Sequence, residues 1–323
     1  MAGFRLETSY SIQSVRDNGD AVIDHFADRL LEACEQKGTP ICVGIDPVYE
    51  RLPLALRGQG SDGVVDRIDV IRRFVEAVLD AVAPHVPCVK FQSACFERYH
   101  WHGVEVYHGL VHRARCLGLV VIGDVKRGDI GHTAAHYAAA CLEDASLPKG
   151  TAAPDAITIN AWCGTDGIEP FLEAAAASGK GLFAWVRASN PSSDRLQGLS
   201  VADGGSVADA LAHLVSELAN DRRYVGRYGY SLLGAVVGAT KVAEAGRLRQ
   251  LMPQQVFLVP GFGAQGGDAD DIRACFNPDG RGAIVAASRS ILYAYDVGDD
   301  DWVLSIERAA IDMKQRLAGI ADA

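Results

Sequence analysis

Two aspartates, a lysine and an arginine fall within eight residues, GDVKRGDI at 123–130, directly after the apolar run LGLVV at 117–121. The apolar run predicts a buried strand, and residues i and i+2 of a strand share a face, so Asp124 and Lys126 should point the same way. Asp129 follows in the loop or in a first helical turn. The group is either catalytic or an ordinary ion pair at a strand end, with Asp129 as a helix cap.

A second lysine stands in the preceding apolar run, PCVKFQ at 87–92. If the two runs form neighbouring strands, Lys90 lies beside Asp124, and Lys90, Asp124, Lys126 and Asp129 alternate in sign. Buried charges must be paired, and this pairing keeps the lysines protonated and the aspartates ionised. An ammonium group held between carboxylates is a well-positioned proton donor.

These charges require a scaffold, and the chain supplies eight short apolar runs separated by amphipathic stretches of helical period. Eight alternating units predict an α/β fold of the (β/α)8 (TIM) barrel type, whose catalytic groups lie at the carboxyl ends of the strands; an open doubly wound sheet is the alternative. The runs are 40–46, 87–92, 119–126, 156–160, 182–189, 232–240, 255–261 and 282–288.

No change in composition marks a linker, so we expect one domain over residues 1–323, with 1–20 as a poorly ordered extension. An extra helix at 24–38 precedes the first strand and should cover the bottom of the barrel. The polar, Gly- and Ser-rich segment 190–206 predicts a long mobile loop after strand five.

Bulk composition excludes several classes of protein. With 323 residues, 49% of them hydrophobic, the chain can bury a large core, and a net charge of −10 disfavours nucleic-acid binding. The sequence shows neither a secretory signal nor a membrane span. Its eight cysteines lack a Cys-x-x-Cys pair, so we expect free thiols in a reducing cytoplasm.

An anionic substrate would need a local positive site, and two segments predict one. VPGFGAQGG at 259–267 follows strand seven, and its glycines allow backbone amides to approach an anion, although they also suit a plain turn. ASRS at 287–290 follows strand eight and supplies Arg289. Barrels frequently bind phosphate at these two loops. No metal site is predicted, because HTAAH at 132–136 lacks both the glutamate of a zinc-protease helix and a third ligand.

Together these motifs resemble the orotidine 5′-phosphate decarboxylase family, in its longer bacterial branch. The family pattern Asp-x-Lys-x-x-Asp-Ile-x-x-Thr is matched by Asp124, Lys126, Asp129, Ile130 and Thr133. The resemblance runs from about 24 to 318 and departs from the family at Ser192 and Ser288, where many relatives have glycine. It includes GIDP at 44–47, VKFQ at 89–92, NAWCGTDGIEPF at 160–171 and ASNPS at 188–192.

The resemblance implies cofactor-independent decarboxylation of orotidine 5′-phosphate to UMP and CO2 in pyrimidine biosynthesis. Lys126 would deliver the proton to C6, Asp124 would face the substrate carboxylate, and Lys90 and Asp129 would hold the array. A homodimer is implied, with Asp129, Ile130 and Thr133 entering the partner's site. The other implied substrate contacts are Asp46 to the ribose, Ser189 to the pyrimidine, and Pro260, Gly263, Gln265, Ser288 and Arg289 at the phosphate.

Three other functions fit parts of the pattern. A Mg²⁺-dependent sugar-phosphate decarboxylase would want a carboxylate or neutral ligand in place of Lys90. A Schiff-base aldolase would need a lysine of lowered pKa, whereas flanking aspartates raise it. A sensor barrel without catalysis would not need all four charges.

Overall fold

The computed structural model describes residues 24–57, 63–202, 204–238, 242–261 and 272–318. The predicted N-terminal extension, residues 1–20, lies outside these ranges, as do Gly263 and Gln265.

In this part of the chain, eight parallel strands form a closed barrel in sequence order, with β8 pairing with β1. Each strand overlaps one of the predicted apolar runs. The (β/α)8 barrel is therefore confirmed. The strands are β1 Ile41–Ile45, β2 Cys88–Gln92, β3 Val120–Arg127, β4 Ala156–Ile159, β5 Gly181–Arg187, β6 Leu233–Val237, β7 Phe257–Pro260 and β8 Ala283–Ala287.

Helices surround the barrel and bury their apolar faces against it, while alternate strand residues fill its interior. The helices described are α1 Phe26–Lys37, α2 Leu54–Arg57, α3 Val64–Val82, α4 Ala94–Glu97, α5 His100–Cys116, α6 Gly131–Leu142, α7 Thr165–Ser178, α8 Asp194–Gln197, α9 Val207–Ala219, α10 Val242–Leu251, α11 Arg289–Leu292 and α12 Trp302–Leu317. Short 3-10 helices occupy Tyr49–Arg51, Pro191–Ser193 and Arg222–Tyr224.

Helix α1 covers the amino-terminal end of the barrel, as the sequence predicts. Phe26 packs edge-on against Phe183 with ring centroids 5.9 Å apart. A Cβ at Gly181, the first residue of β5, would lie 2.0 Å from the Phe26 ring, so the absence of a side chain there admits the helix. The guanidinium of Arg29 bonds Asp155, just before β4, at 2.9 Å. Helix α1 therefore leaves the opposite, carboxyl-terminal end of the barrel uncovered.

The segment after β5 has more local structure than its polar composition indicates. It contains Pro191–Ser193 and α8, both gathered around Arg187, which is 1% exposed. Arg187 donates to Ser193 Oγ at 2.8 Å and to Glu244 Oε1 at 3.0 Å, and it pairs with Asp194. A single buried cation on a core strand thus organises the first half of the predicted loop.

Two further properties bear on the protein's class. Among the described residues, no helix is both long enough and apolar enough to cross a membrane. All eight cysteines are free thiols.

Candidate active site

Asp124 lies at the centre of the charged group predicted from the sequence. It is 6% exposed near the carboxyl end of β3, opposite Gln92 of β2. Lys90 Nζ lies 2.9 Å from Asp124 Oδ2, and Lys126 Nζ lies 2.5 Å from Asp124 Oδ1. The adjacency of β2 and β3 therefore brings the three side chains together, as expected.

Two neutral side chains complete the shell of Asp124. Gln92 Nε2 donates to Oδ2 at 3.0 Å, and Thr158 Oγ1 of β4 donates to Oδ1 at 2.8 Å. The sequence analysis did not identify either of them. The available signals were weak: Gln92 shares a strand face with Lys90, and Thr158 is the polar residue within the apolar strand AITI.

Asp46, just after β1, extends the group on the other side of Lys90. Its Oδ1 is 3.9 Å from Lys90 Nζ, while its Oδ2 accepts a hydrogen bond from Ser288 Oγ at 2.6 Å. Within one chain the charges therefore alternate in the order Asp46, Lys90, Asp124 and Lys126. The predicted ribose ligand is thus part of the charged array.

Among the contacts of the described residues, Asp129 does not join this array in its own chain. It lies between β3 and α6, where its Oδ1 accepts the backbone N–H of Ile130 at 2.8 Å. It faces a groove shared with Thr133, Asp166 and Glu169. Ile130 itself is 55% exposed.

The array is electrostatically self-consistent. Burial by itself raises the pKa of the Asp124 carboxyl, but Lys90 and Lys126 more than offset this and hold that pKa well below its usual range. Burial likewise acts to lower the pKa of Lys90, but Asp124 and Asp46 more than offset it, and the pKa lies above its ordinary value. Lys90 and Asp124 therefore stay charged at neutral pH.

The backbone at Lys126 is strained. Its φ of +46° lies in the left-handed region, which residues with a Cβ rarely adopt. The pairing of β3 with β4 shifts register between Gly123 and Arg127, and the Lys126 N–H donates to Thr158 Oγ1 at 3.0 Å. Lys126 Nζ lies 5.8 Å from the centre of the Trp185 ring. These contacts fix the direction of the lysine.

The predicted phosphate end is described only in part. Pro260 ends β7, and Ser288 and Arg289 follow β8, with Arg289 exposed at the start of α11. Ser189 is half-buried beyond β5; a Cβ at Gly238, after β6, would come within 2.8 Å of Ser189 Cα. All four lie at the carboxyl ends of their strands, on the same side of the barrel as Asp124.

The histidine pair does not form a metal site in the described residues. His132 and His136 stack edge-on with ring centroids 6.3 Å apart. Across the described ranges, no group of three or more His, Cys, Asp or Glu side chains is arranged to hold a metal ion.

Comparison with known proteins shows the family of the chain. The model of the orotidine 5′-phosphate decarboxylase / HUMPS family matches residues 39–299. The chain belongs to this family. The resemblance stated from the sequence is thereby confirmed.

Individual relatives cover almost the whole chain. An orotidine 5′-phosphate decarboxylase of Rhodopirellula baltica is 40% identical over 302 residues, which are 91% of this chain and 99% of that protein. A crystal structure from Streptomyces avermitilis, assigned to the same activity, has a TM-score of 0.76 and 33% identity, covering 93% of this chain and 97% of that one. Leishmania donovani OMP decarboxylase has a TM-score of 0.72 and 25% identity over 93% and 99% of the two chains.

Proposed function

We propose that this protein decarboxylates orotidine 5′-phosphate to UMP and CO2, the closing step of UMP biosynthesis. The observation that carries the proposal is the Lys126 ammonium, held 2.5 Å from an Asp124 carboxylate that Lys90 keeps ionised from its other side. Membership of the family and relatives of up to 40% identity support the same substrate.

Lys126 acts as the proton donor. The bond between C6 of the pyrimidine and the carboxyl carbon breaks, CO2 leaves, and the electron pair remains on C6. The ammonium stabilises this developing negative charge and then transfers a proton to C6, and the neutral amine regains a proton from solvent. Because the ammonium is oriented before the substrate binds, little reorganisation accompanies the reaction.

Asp124 has two roles in this account. It orients Lys126, and its negative charge faces the substrate carboxylate, which disfavours the bound reactant relative to the CO2-like transition state. Its four donors are Lys90, Gln92, Lys126 and Thr158, and they keep it ionised while the substrate carboxylate approaches.

The remaining predicted residues bind the parts of the substrate that do not react. Asp46 accepts from a ribose hydroxyl and Ser189 reads the amide edge of the pyrimidine. The phosphate is held by Arg289 and Gln265, with Gly263 and Ser288 contributing through the backbone and Pro260 alongside. Binding energy at the phosphate contributes to the transition state through closure of the loop after β5.

We infer that the functional unit is a homodimer in which Asp129, Ile130 and Thr133 complete the partner's site. Asp129 makes no contact with the array of its own chain among the described interactions, although it follows Lys126 by only three residues. Large apolar side chains within α6, or just before α6 and α7, are exposed: Ile130 at 55%, Tyr137 at 41% and Trp162 at 56%. A second copy would cover them.

The chemistry proposed here uses no metal or other cofactor. A Mg²⁺-dependent decarboxylase of the same family would need carboxylates around the metal and a ligand in place of Lys90. Lys90 Nζ lies 3.9 Å from Asp46 Oδ1 and 2.9 Å from Asp124 Oδ2, so an ammonium already occupies the space between the carboxylates. This observation favours the orotidine 5′-phosphate branch over the sugar-phosphate branch.

Subunit mixing tests the shared site. Lys126→Ala and Asp129→Ala homodimers should each be nearly inactive, because every site lacks one essential charge. In a mixture, each heterodimer has one site with both residues, so an equal mixture of two-fold dimers recovers about a quarter of wild-type turnover. No recovery after demonstrated subunit exchange would place Asp129 in its own subunit's site.

A further inference from the structure

The orientation of the Asp46 side chain depends on a residue that follows the last strand. Ser288 Oγ donates to Asp46 Oδ2 at 2.6 Å. The other oxygen, Oδ1, is buried and accepts no hydrogen bond in the described part of the chain, while Lys90 Nζ lies 3.9 Å from it. Oδ1 is therefore turned inward towards Lys90, and an incoming donor has to reach Oδ2, which keeps a second lone pair beside its bond from Ser288.

The Asp46 backbone is held separately. Tyr293 Oη donates to the carbonyl oxygen of Asp46 at 2.8 Å and accepts the N–H of Val48 at 2.8 Å. Because these bonds fix the main chain, the remaining freedom of Asp46 is rotation of its carboxylate. Among the described contacts, Ser288 is the group that hydrogen-bonds this carboxylate.

Gly44 allows Ser288 to come this close. A Cβ on Gly44 would lie 2.5 Å from Ser288 Cβ and 2.8 Å from its Oγ, distances that real Cβ atoms do not show. The close approach of β1 and the end of β8 thus requires glycine at 44 once serine stands at 288.

We propose that the Ser288 hydroxyl is a positioning group, which turns Asp46 so that Oδ1 stays against Lys90 and the second lone pair of Oδ2 faces a ribose hydroxyl of the bound nucleotide. The inference rests on the proposed function and adds a side-chain role to a residue expected to act through its backbone at the phosphate. A glycine at this position cannot supply it. Ser288 thereby links recognition of the sugar to the segment that binds the phosphate.

Binding of nucleotide products tests the inference without turnover. Ser288→Ala should weaken UMP binding about tenfold, the effect of losing one hydrogen bond to a charged group. Of the two ligands 2′-deoxy-UMP and 3′-deoxy-UMP, one lacks the hydroxyl group that donates to Asp46. The same substitution should have little effect on the Kd of that ligand. It should also have no further effect in an Asp46→Asn background. Calorimetric Kd values supply the comparison.

Three variants separate positioning from a general structural role. Ser288→Thr retains the hydroxyl and should bind UMP more tightly than Ser288→Ala, whereas Ser288→Gly should match Ser288→Ala. Ser290→Ala is the matched control, because Ser290 Oγ lies two residues along the same segment and makes no hydrogen bond in the described structure. It should bind UMP as the wild type does.

An equal loss of affinity for UMP and both deoxynucleotides would overturn the inference and leave Ser288 with a role at the phosphate alone. Failure of the proposed function has a different signature, since the wild-type enzyme would then not release CO2 from orotidine 5′-phosphate.

Discussion

Lys90 Nζ lies 2.9 Å from Asp124 Oδ2 across neighbouring strands, and neither side chain is more than 10% exposed. Such a pair contributes to stability only while both members are charged, because a lone charge in the same place would be desolvated without compensation. The carboxylate of Asp124 also accepts a hydrogen bond from Lys126 and orients that side chain. Stability and the proposed catalysis therefore depend on one interaction.

Asp124→Asn should destabilise the protein by about 3–5 kcal/mol near pH 7, the loss typical of removing one partner of a buried ion pair. The folded-state pKa of Asp124 is lowered. Its contribution is therefore complete above the unfolded pKa of about 3.9, and it falls by about 1.4 kcal/mol for each pH unit below that value. Urea unfolding of both proteins from pH 6 to pH 3 measures the difference. A difference that does not shrink below pH 4 would contradict the ionised state of Asp124.

Thr158→Val should lower kcat/KM about 10- to 100-fold, because it removes a donor to Asp124 and the acceptor of the strained Lys126 amide, each worth about 1 kcal/mol or more. Thr158→Ser keeps the hydroxyl and is the matched control. Steady-state kinetics on orotidine 5′-phosphate decide the point. Equal activity of the valine and serine variants would show that the hydroxyl does not support the array.

Arg289→Ala should lower kcat/KM for orotidine 5′-phosphate. The loss of transition-state stabilisation should be ~1.5–3 kcal/mol, the value of a hydrogen bond to a charged group. The nucleoside orotidine has no phosphate, so its kcat/KM should change much less, and added guanidinium should partly restore activity on the nucleotide. Lys126→Ala should impair both substrates alike. If Arg289→Ala also impaired both alike, the arginine would be structural.

The sequence predicts the barrel well because each strand is a separate apolar run, visible without knowledge of the others. It also predicts that Lys90, Asp124 and Lys126 meet, since consecutive strands of a barrel are neighbours. The contact of Asp46 with Ser288 is different, because it depends on closure between the first and last strands and on side-chain rotamers. The same limit applies to Thr158 as a ligand of Asp124. The ordering of residues 190–197 around Arg187 could not be predicted either, because these contacts are specified by packing and not by local composition.

Turnover by metal-free enzyme tests the central claim most directly. The enzyme would be treated with EDTA, and the ultraviolet absorbance of orotidine 5′-phosphate followed alongside the appearance of UMP and CO2. We expect full loss of the substrate absorbance with the wild type, one UMP and one CO2 for each substrate consumed, and almost no change with Lys126→Ala. Absence of turnover, or activity that returns only when Mg²⁺ is added, would contradict the account and favour the sugar-phosphate branch of the family.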